Sequence, residues 1–132
     1  MSKTSRRTKV IQKPLTAAEL EMMNVIWRIG PCSVAQVVEQ LLPQRELAYT
    51  SVSTIVRILE QKGFVTSIKE GRGHSYSAAI PKTDYQALSL TQLVSNVFDG
   101  TPTLLVQRLL DSKALTASEL AKIKALLRKT EG

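Results

Sequence analysis

Cysteine is almost missing from this chain: Cys32 is the only one in 132 residues. One thiol cannot make an internal disulfide, and it excludes a cysteine-built metal cluster within a single chain. Histidine is equally rare. His74 stands alone, beside a predicted turn, with no evident acid to orient it as a general base. No serine sits in a nucleophile-elbow sequence, and no glycine loop resembles a phosphate-binding P-loop. No apolar run approaches the ~20 residues of a membrane span. The basic start is not followed by an apolar signal region. These absences argue against an enzyme, a resident cofactor or metal, secretion and a membrane. The expectation is a cytoplasmic, non-catalytic chain.

Acid is absent from the first fourteen residues, which carry Lys3, Arg6, Arg7, Lys9 and Lys13. Five of the seven net positive charges therefore sit in this short arm. Residues 15–80 balance six bases against six acids, and residues 81–132 hold seven bases and five acids. A basic arm on a nearly neutral body suits a polyanion, because binding phosphates releases condensed counterions. The other reading is a solubility tail. Cys32, beside Pro31, is expected to be a small semi-buried residue, with a redox-sensing thiol as the alternative.

The apolar period predicts helices separated by clear stops. Thr16-Ala17-Ala18-Glu19 is a capping box opening a first helix with Leu20, Met23, Val25, Ile26, Trp27 and Ile29, which Gly30-Pro31 stops. Ser33 and Gln36 repeat the cap more weakly before Val34, Val37, Val38 and Leu41, and Pro43 closes this second helix. Thr50 or Ser51 is expected to cap a third, with Val52, Ile55, Val56 and Leu59 on one face and Gly63 as its left-handed end. Phe64 to Ile68 and His74 to Ala78 have strand composition around the turn Glu70-Gly71-Arg72-Gly73. After Pro81, Thr83-Asp84 begins a fourth helix that Asp99 to Pro102 breaks. Thr103 to Leu110 is a short helix, and the box Thr116 to Glu119 opens the last.

The predicted fold is mainly α with a small β-hairpin. Helix, turn, helix and hairpin outline a winged helix-turn-helix DNA-binding domain at residues 15–80. A basic flexible arm at 1–14 precedes it, and a helical dimerisation domain at 81–132 follows. The third helix is the candidate reader. Opposite its apolar stripe it offers Ser51, Ser53, Thr54 and Arg57, whose hydroxyls and guanidinium can reach bases or phosphates. Tyr49, just before the expected cap, can bond a phosphate or serve as a partly buried staple. Arg72 at the wing tip, assisted by Lys69, can contact backbone or minor groove. The bland reading of both features is a solvated helix face and an ordinary hairpin turn. The C-terminal helices carry more leucine and valine than about fifty residues easily bury. Leu90, Leu93, Val94, Val97, Leu105, Leu109, Leu120, Ile123 and Leu127 are therefore candidate dimerisation residues. The alternative is packing back onto the N-terminal half.

The blocks LTAAELEMMNVIW, AYTSVSTIVRILEQKGFV and EGRGHSYSA resemble three consecutive blocks of the penicillinase-repressor family, the BlaI/MecI-type bacterial regulators. The similarity is good over about residues 15–80 and looser to about residue 128. The resemblance implies a winged-helix repressor acting as a homodimer on a pseudo-palindromic double-stranded operator overlapping a promoter. By position, Ser53, Thr54 and Arg57 fall where the family's reading helix faces DNA. Ile58 stands where staphylococcal members have arginine, so their base contacts do not transfer. Antibiotic-responsive members are cut at an Asn-Phe bond by a sensor pathway. Arg108-Leu109 occupy those positions here, so that signature is missing. The C-terminal cysteine pair of copper-responsive members is missing too, which excludes that mode of metal sensing and leaves an unidentified inducer or sensor pathway. The competing function is a winged-helix protein-interaction module without specific DNA binding. A DNA binder should place Arg57, Arg72 and the arm on one face.

Overall fold

The computed structural model describes residues 14–41 and 48–131. Residues 1–13 of the basic arm, residues 42–47 with the Pro43 stop, and Gly132 lie outside the described residues. The elements run α1 Ala17–Ile29, α2 Val34–Leu41, α3 Tyr49–Gln61, β1 Val65–Glu70, β2 Gly73–Ala78, α4 Lys82–Val97, α5 Pro102–Asp111 and α6 Ala117–Glu131. Two compact units result, Met1–Ser89 and Leu90–Gly132.

Local signals set most helix ends in the first unit. The Thr16 N–H donates to Glu19 Oε1 at 3.0 Å and the Glu19 N–H donates to Thr16 Oγ1 at 3.1 Å, a complete capping box. The weaker box is complete too: the Ser33 N–H donates to Gln36 Oε1 at 2.8 Å, and the Gln36 N–H donates to Ser33 Oγ at 3.2 Å. α3 ends with Gly63 at φ 87°. The Phe64 N–H donates to the Leu59 carbonyl and the Gly63 N–H to the Glu60 carbonyl, which is the Schellman pattern a left-handed glycine permits.

The start of α3 differs from expectation. Ala48 is its N-cap, with no side-chain cap bond, so Thr50 and Ser51 lie inside the first turn. Residues 48–51 are all exposed. Water can satisfy the free N–H groups there, so the helix needs no hydroxyl cap.

Met22, Met23, Ile26, Val37, Val52, Val56, Leu59 and Phe64 form the centre of the core. The hairpin pairs antiparallel from Val65↔Ala78 to Glu70↔Gly73, leaving Gly71-Arg72 as a two-residue turn. Gly71 has φ 62° and Arg72 does not share the positive φ, the pattern of a type II′ turn with glycine first. Cys32 adds an isolated antiparallel bridge to β2. Its N–H donates to the Tyr76 carbonyl at 3.0 Å, and the Tyr76 N–H returns to the Cys32 carbonyl at 2.7 Å. The thiol is fully buried rather than semi-buried.

The first compact unit runs past the expected boundary at residue 80, to Ser89. The Trp27 indole N–H donates to the Ile80 carbonyl at 2.8 Å, and the Leu15 N–H donates to Tyr85 Oη at 3.0 Å. The Tyr85 ring lies 5.8 Å from Trp27 and 5.9 Å, edge-on, from Phe64. The start of α4, which begins at Lys82 rather than Thr83, therefore seals the first core. In the second unit, Asp99 and Gly100 take positive φ after α4, and Pro102 occupies the first turn of α5. The Glu119 N–H donates to Thr116 Oγ1 at 3.1 Å ahead of α6. Among the described residues, no helix is long and apolar enough to cross a membrane.

Candidate nucleic-acid interface

At 100° per residue, α3 divides into three faces. Val52, Val56 and Leu59 point into the core, fully buried. Thr50, Thr54, Arg57 and Gln61 cluster opposite them, all exposed. Tyr49, Ser53, Arg57 and Glu60 line the flank that faces the hairpin. Arg57 sits where the outer ridge meets that flank. Its guanidinium makes no hydrogen bond or ion pair among the described residues, so it is free for a partner.

Thr54 is more constrained than the sequence suggests. Its Oγ1 donates to the Thr50 carbonyl at 2.9 Å. The proton is engaged within the helix, and the outward lone pairs make Thr54 an acceptor.

A cleft of about 730 Å³ lies between α3, the start of α2 and the hairpin. It gathers Tyr49, Ser53, Arg57 and Arg72 from the predicted set, and also Ser33, Glu60, Ser67, His74 and Tyr76. Ser51, Thr54 and Lys69 do not line it. Ser51 and Thr54 lie on the exposed side of α3, and Lys69 is exposed on β1 across from His74. Burial pushes the Tyr76 phenol up, Glu60 and Tyr49 add to this, and Arg57 opposes it. These four groups thus share one electrostatic neighbourhood. Arg57 and Arg72 line the same cleft; residues 1–13 of the arm lie outside the described residues.

Sequence reasoning passed over Gln61 and Glu60 and read Thr50 only as a cap. The helical period holds a signal for each: Thr50 and Gln61 continue the ridge of Thr54 and Arg57, and Glu60 follows Ser53 at i+7. Ser67 left no such local trace.

Glu19 and Lys62 anchor the inner end of α3. Lys62 Nζ donates to Glu19 Oε1 at 3.0 Å and to Oε2 at 2.8 Å. The Glu19 carboxylate therefore caps α1 and holds the end of α3 at once.

A family model for the penicillinase repressor matches residues 15–129. The chain belongs to the penicillinase repressor family. It is 26% identical over 113 residues to the penicillinase repressor of Bacillus licheniformis, across 86% of this chain and 88% of that one. It is 24% identical over 115 residues to the methicillin resistance regulatory protein MecI of Mammaliicoccus sciuri, across 87% and 94%. The oxidised form of MarR from E. coli shares the fold, at TM-score 0.51 and 20% identity, over 97% of this chain and 88% of that one. As a penicillinase-repressor family member, the chain is a winged-helix, DNA-binding transcriptional repressor rather than an enzyme. The docking-module alternative is not favoured.

Proposed function

We propose that the chain represses transcription as a homodimer on a pseudo-palindromic operator in the cytoplasm, until an inducer or sensor pathway releases it. The observation that carries DNA reading is the exposed ridge of α3. Arg57 has no hydrogen bond or ion pair there among the described residues, and Arg72 sits at the tip of the adjacent hairpin. In this reading Arg57 meets base edges or phosphates, and the Thr54 oxygen accepts from the amino group of a base edge. Tyr49, Ser51 and Ser53 add phosphate bonds, and Lys69 and Arg72 grip the flank.

The second unit supports the dimer. None of its described residues is buried. Leu90, Leu93, Val97, Val106, Leu109, Leu110, Leu126 and Leu127 are exposed, while Val94, Leu105, Leu120 and Ile123 are half-buried. Covering each exposed side chain would gain about 1 kcal/mol. Eight on each protomer would offset an association cost of about 4–15 kcal/mol. Two reading helices then match two half-sites on one duplex face.

The test is selection of bound sites from random duplex DNA, followed by affinity measurements on the selected site. The selected sequence should contain two inverted half-sites. Arg57→Ala should cost about 1–3 kcal/mol per half-site and relax preference at one position in each if it forks onto a base. Wild-type affinity and preference in a folded Arg57→Ala protein would refute the assignment of α3.

A further inference from the structure

An acid on a DNA-facing surface calls for explanation, because it repels phosphate. Glu60 lines the cleft between α3 and the hairpin together with Arg57 and Arg72. Its Oε2 accepts a hydrogen bond from Ser67 Oγ at 2.5 Å, the short range of a hydroxyl donating to a carboxylate. Ser67 is half-buried on β1 and pairs with Tyr76. Beyond it on the same strand, Ile68, Lys69 and Glu70 are all exposed. Val65 and Phe64, on the other side, are buried in the core. The Glu60–Ser67 bond is thus the outermost side-chain hydrogen bond between the helix and the hairpin among the described residues.

We propose that Glu60 and Ser67 form a latch that sets the angle of the wing to the reading helix, so that Arg72 meets the DNA flank. This rests on the reading of α3 and Arg72 given above. The hairpin past Ser67 acts as a lever. Three residues at ~3.3 Å each carry the turn about 10 Å beyond the latch. A tilt of about 20° there moves the tip by roughly 3 Å, about one hydrogen-bond length. Gly71-Arg72 is a tight two-residue turn, so its arginine follows the strand ends closely. The latch also gives the Glu60 carboxylate a partner on the wing. Both residues are positioning groups, acting through Arg72.

Three substitutions separate this role from simple charge repulsion. Glu60→Gln keeps a carbonyl acceptor for Ser67 but removes the charge. Glu60→Ala removes both, and Ser67→Ala removes the donor alone. Hydrogen exchange of hairpin amides in the full chain reads the latch without DNA. Protection at residues 68–75 should fall in Ser67→Ala and Glu60→Ala and persist in Glu60→Gln. On the selected operator, Ser67→Ala should weaken binding about three- to tenfold and lose hydroxyl-radical protection at the flank. The same change in an Arg72→Ala background should cost nothing further. Glu60→Gln should bind at least as tightly as wild type.

Unchanged hairpin protection in Ser67→Ala would overturn the latch. So would tighter binding by Glu60→Ala, the mark of repulsion alone, or an equal Ser67→Ala loss with and without Arg72. If Arg72→Ala itself leaves affinity untouched, the wing reading fails first and the latch's function falls with it. That outcome is recognisable, because hairpin protection still responds to Ser67→Ala.

Discussion

Replacing Glu19 tests whether one carboxylate holds two helices. Its side chain is 9% exposed and the Lys62 side chain is 43% exposed. The pair therefore lies between two limits. An exposed ion pair contributes about 0–1 kcal/mol, whereas breaking a buried one costs about 3–5 kcal/mol. With one end open to screening water, about 1–2 kcal/mol is expected. Glu19→Gln keeps an acceptor for the Thr16 N–H and loses the ion pair alone. Glu19→Ala loses the returning half of the capping box as well, adding about 0.5–1 kcal/mol. For a domain of this size, about 1 kcal/mol shifts Tm by about 4–8 °C. The Gln variant should therefore melt roughly 4–16 °C lower at neutral pH.

The pH dependence fixes the cause. Burial alone would raise the Glu19 pKa, but the Lys62 ammonium and the Thr16 hydrogen bonds outweigh it and bring it below the ordinary 4.5. A carboxylate whose folded pKa is depressed stabilises the fold fully above its unfolded value. The contribution disappears as pH falls through the folded value. The gap between wild type and Glu19→Gln should hold at neutral pH and narrow below about pH 4.5. Urea melts followed by circular dichroism at several pH values, at one fixed protein concentration, would measure it. Equal stability at neutral pH, or a gap that ignores pH, would refute the account.

Three further outcomes are expected. Replacing Leu93 and Val97 together with aspartate should shift sedimentation mass toward the monomer and weaken operator binding in parallel, since carboxylates in an apolar interface cost several kcal/mol to desolvate; a monomeric wild type at micromolar concentration would refute the dimer. Deleting residues 1–13 should lower affinity for specific and random DNA by similar factors and flatten the salt dependence, and an unchanged slope would make the arm a bystander. Cys32 is buried, and burial raises its thiol pKa, so a thiol reagent should label it slowly in the native protein and rapidly in denaturant; fast native labelling would contradict the packing.

Signals confined to one or two helical turns were legible in the sequence. The boxes at Thr16 and Ser33, the Gly63 terminator and the glycine-led wing turn all depend on neighbours a few residues away. The stripe of α3 followed from its period, and so did the exposure of Arg57 on the opposite side. Contacts between distant residues left no such trace. Lys62 reaches Glu19 across 43 positions, and Leu15 reaches Tyr85 across 70. Pro81 looked like a boundary because proline breaks local structure, yet Tyr85 beyond it completes the core. Thr50 looked like a cap because threonine often is one, yet an exposed helix start has water for its free N–H groups. The Glu60–Ser67 bond was hidden because it joins a helix to a strand across a turn, where neither the helical nor the strand period applies.

Ties on the buried side of α3 and freedom on its outer side have a practical consequence. Val52, Val56 and Leu59 fix its inner face, Lys62 ties its end to Glu19, and Ser67 holds Glu60. The outer ridge has no comparable duty. Among the described residues Arg57 makes no hydrogen bond or ion pair, and Thr54 bonds its own helix at Thr50. Exposed substitutions of this kind usually change stability by no more than about 0.5 kcal/mol. Arg57→Ala should therefore keep the wild-type melt while losing operator affinity, and changes at Glu19 or Lys62 should lower both. With α3 as the proposed reading helix, braced on its buried side, folding and recognition can be perturbed separately. That separation distinguishes an interface residue from a core residue without any structure of the complex.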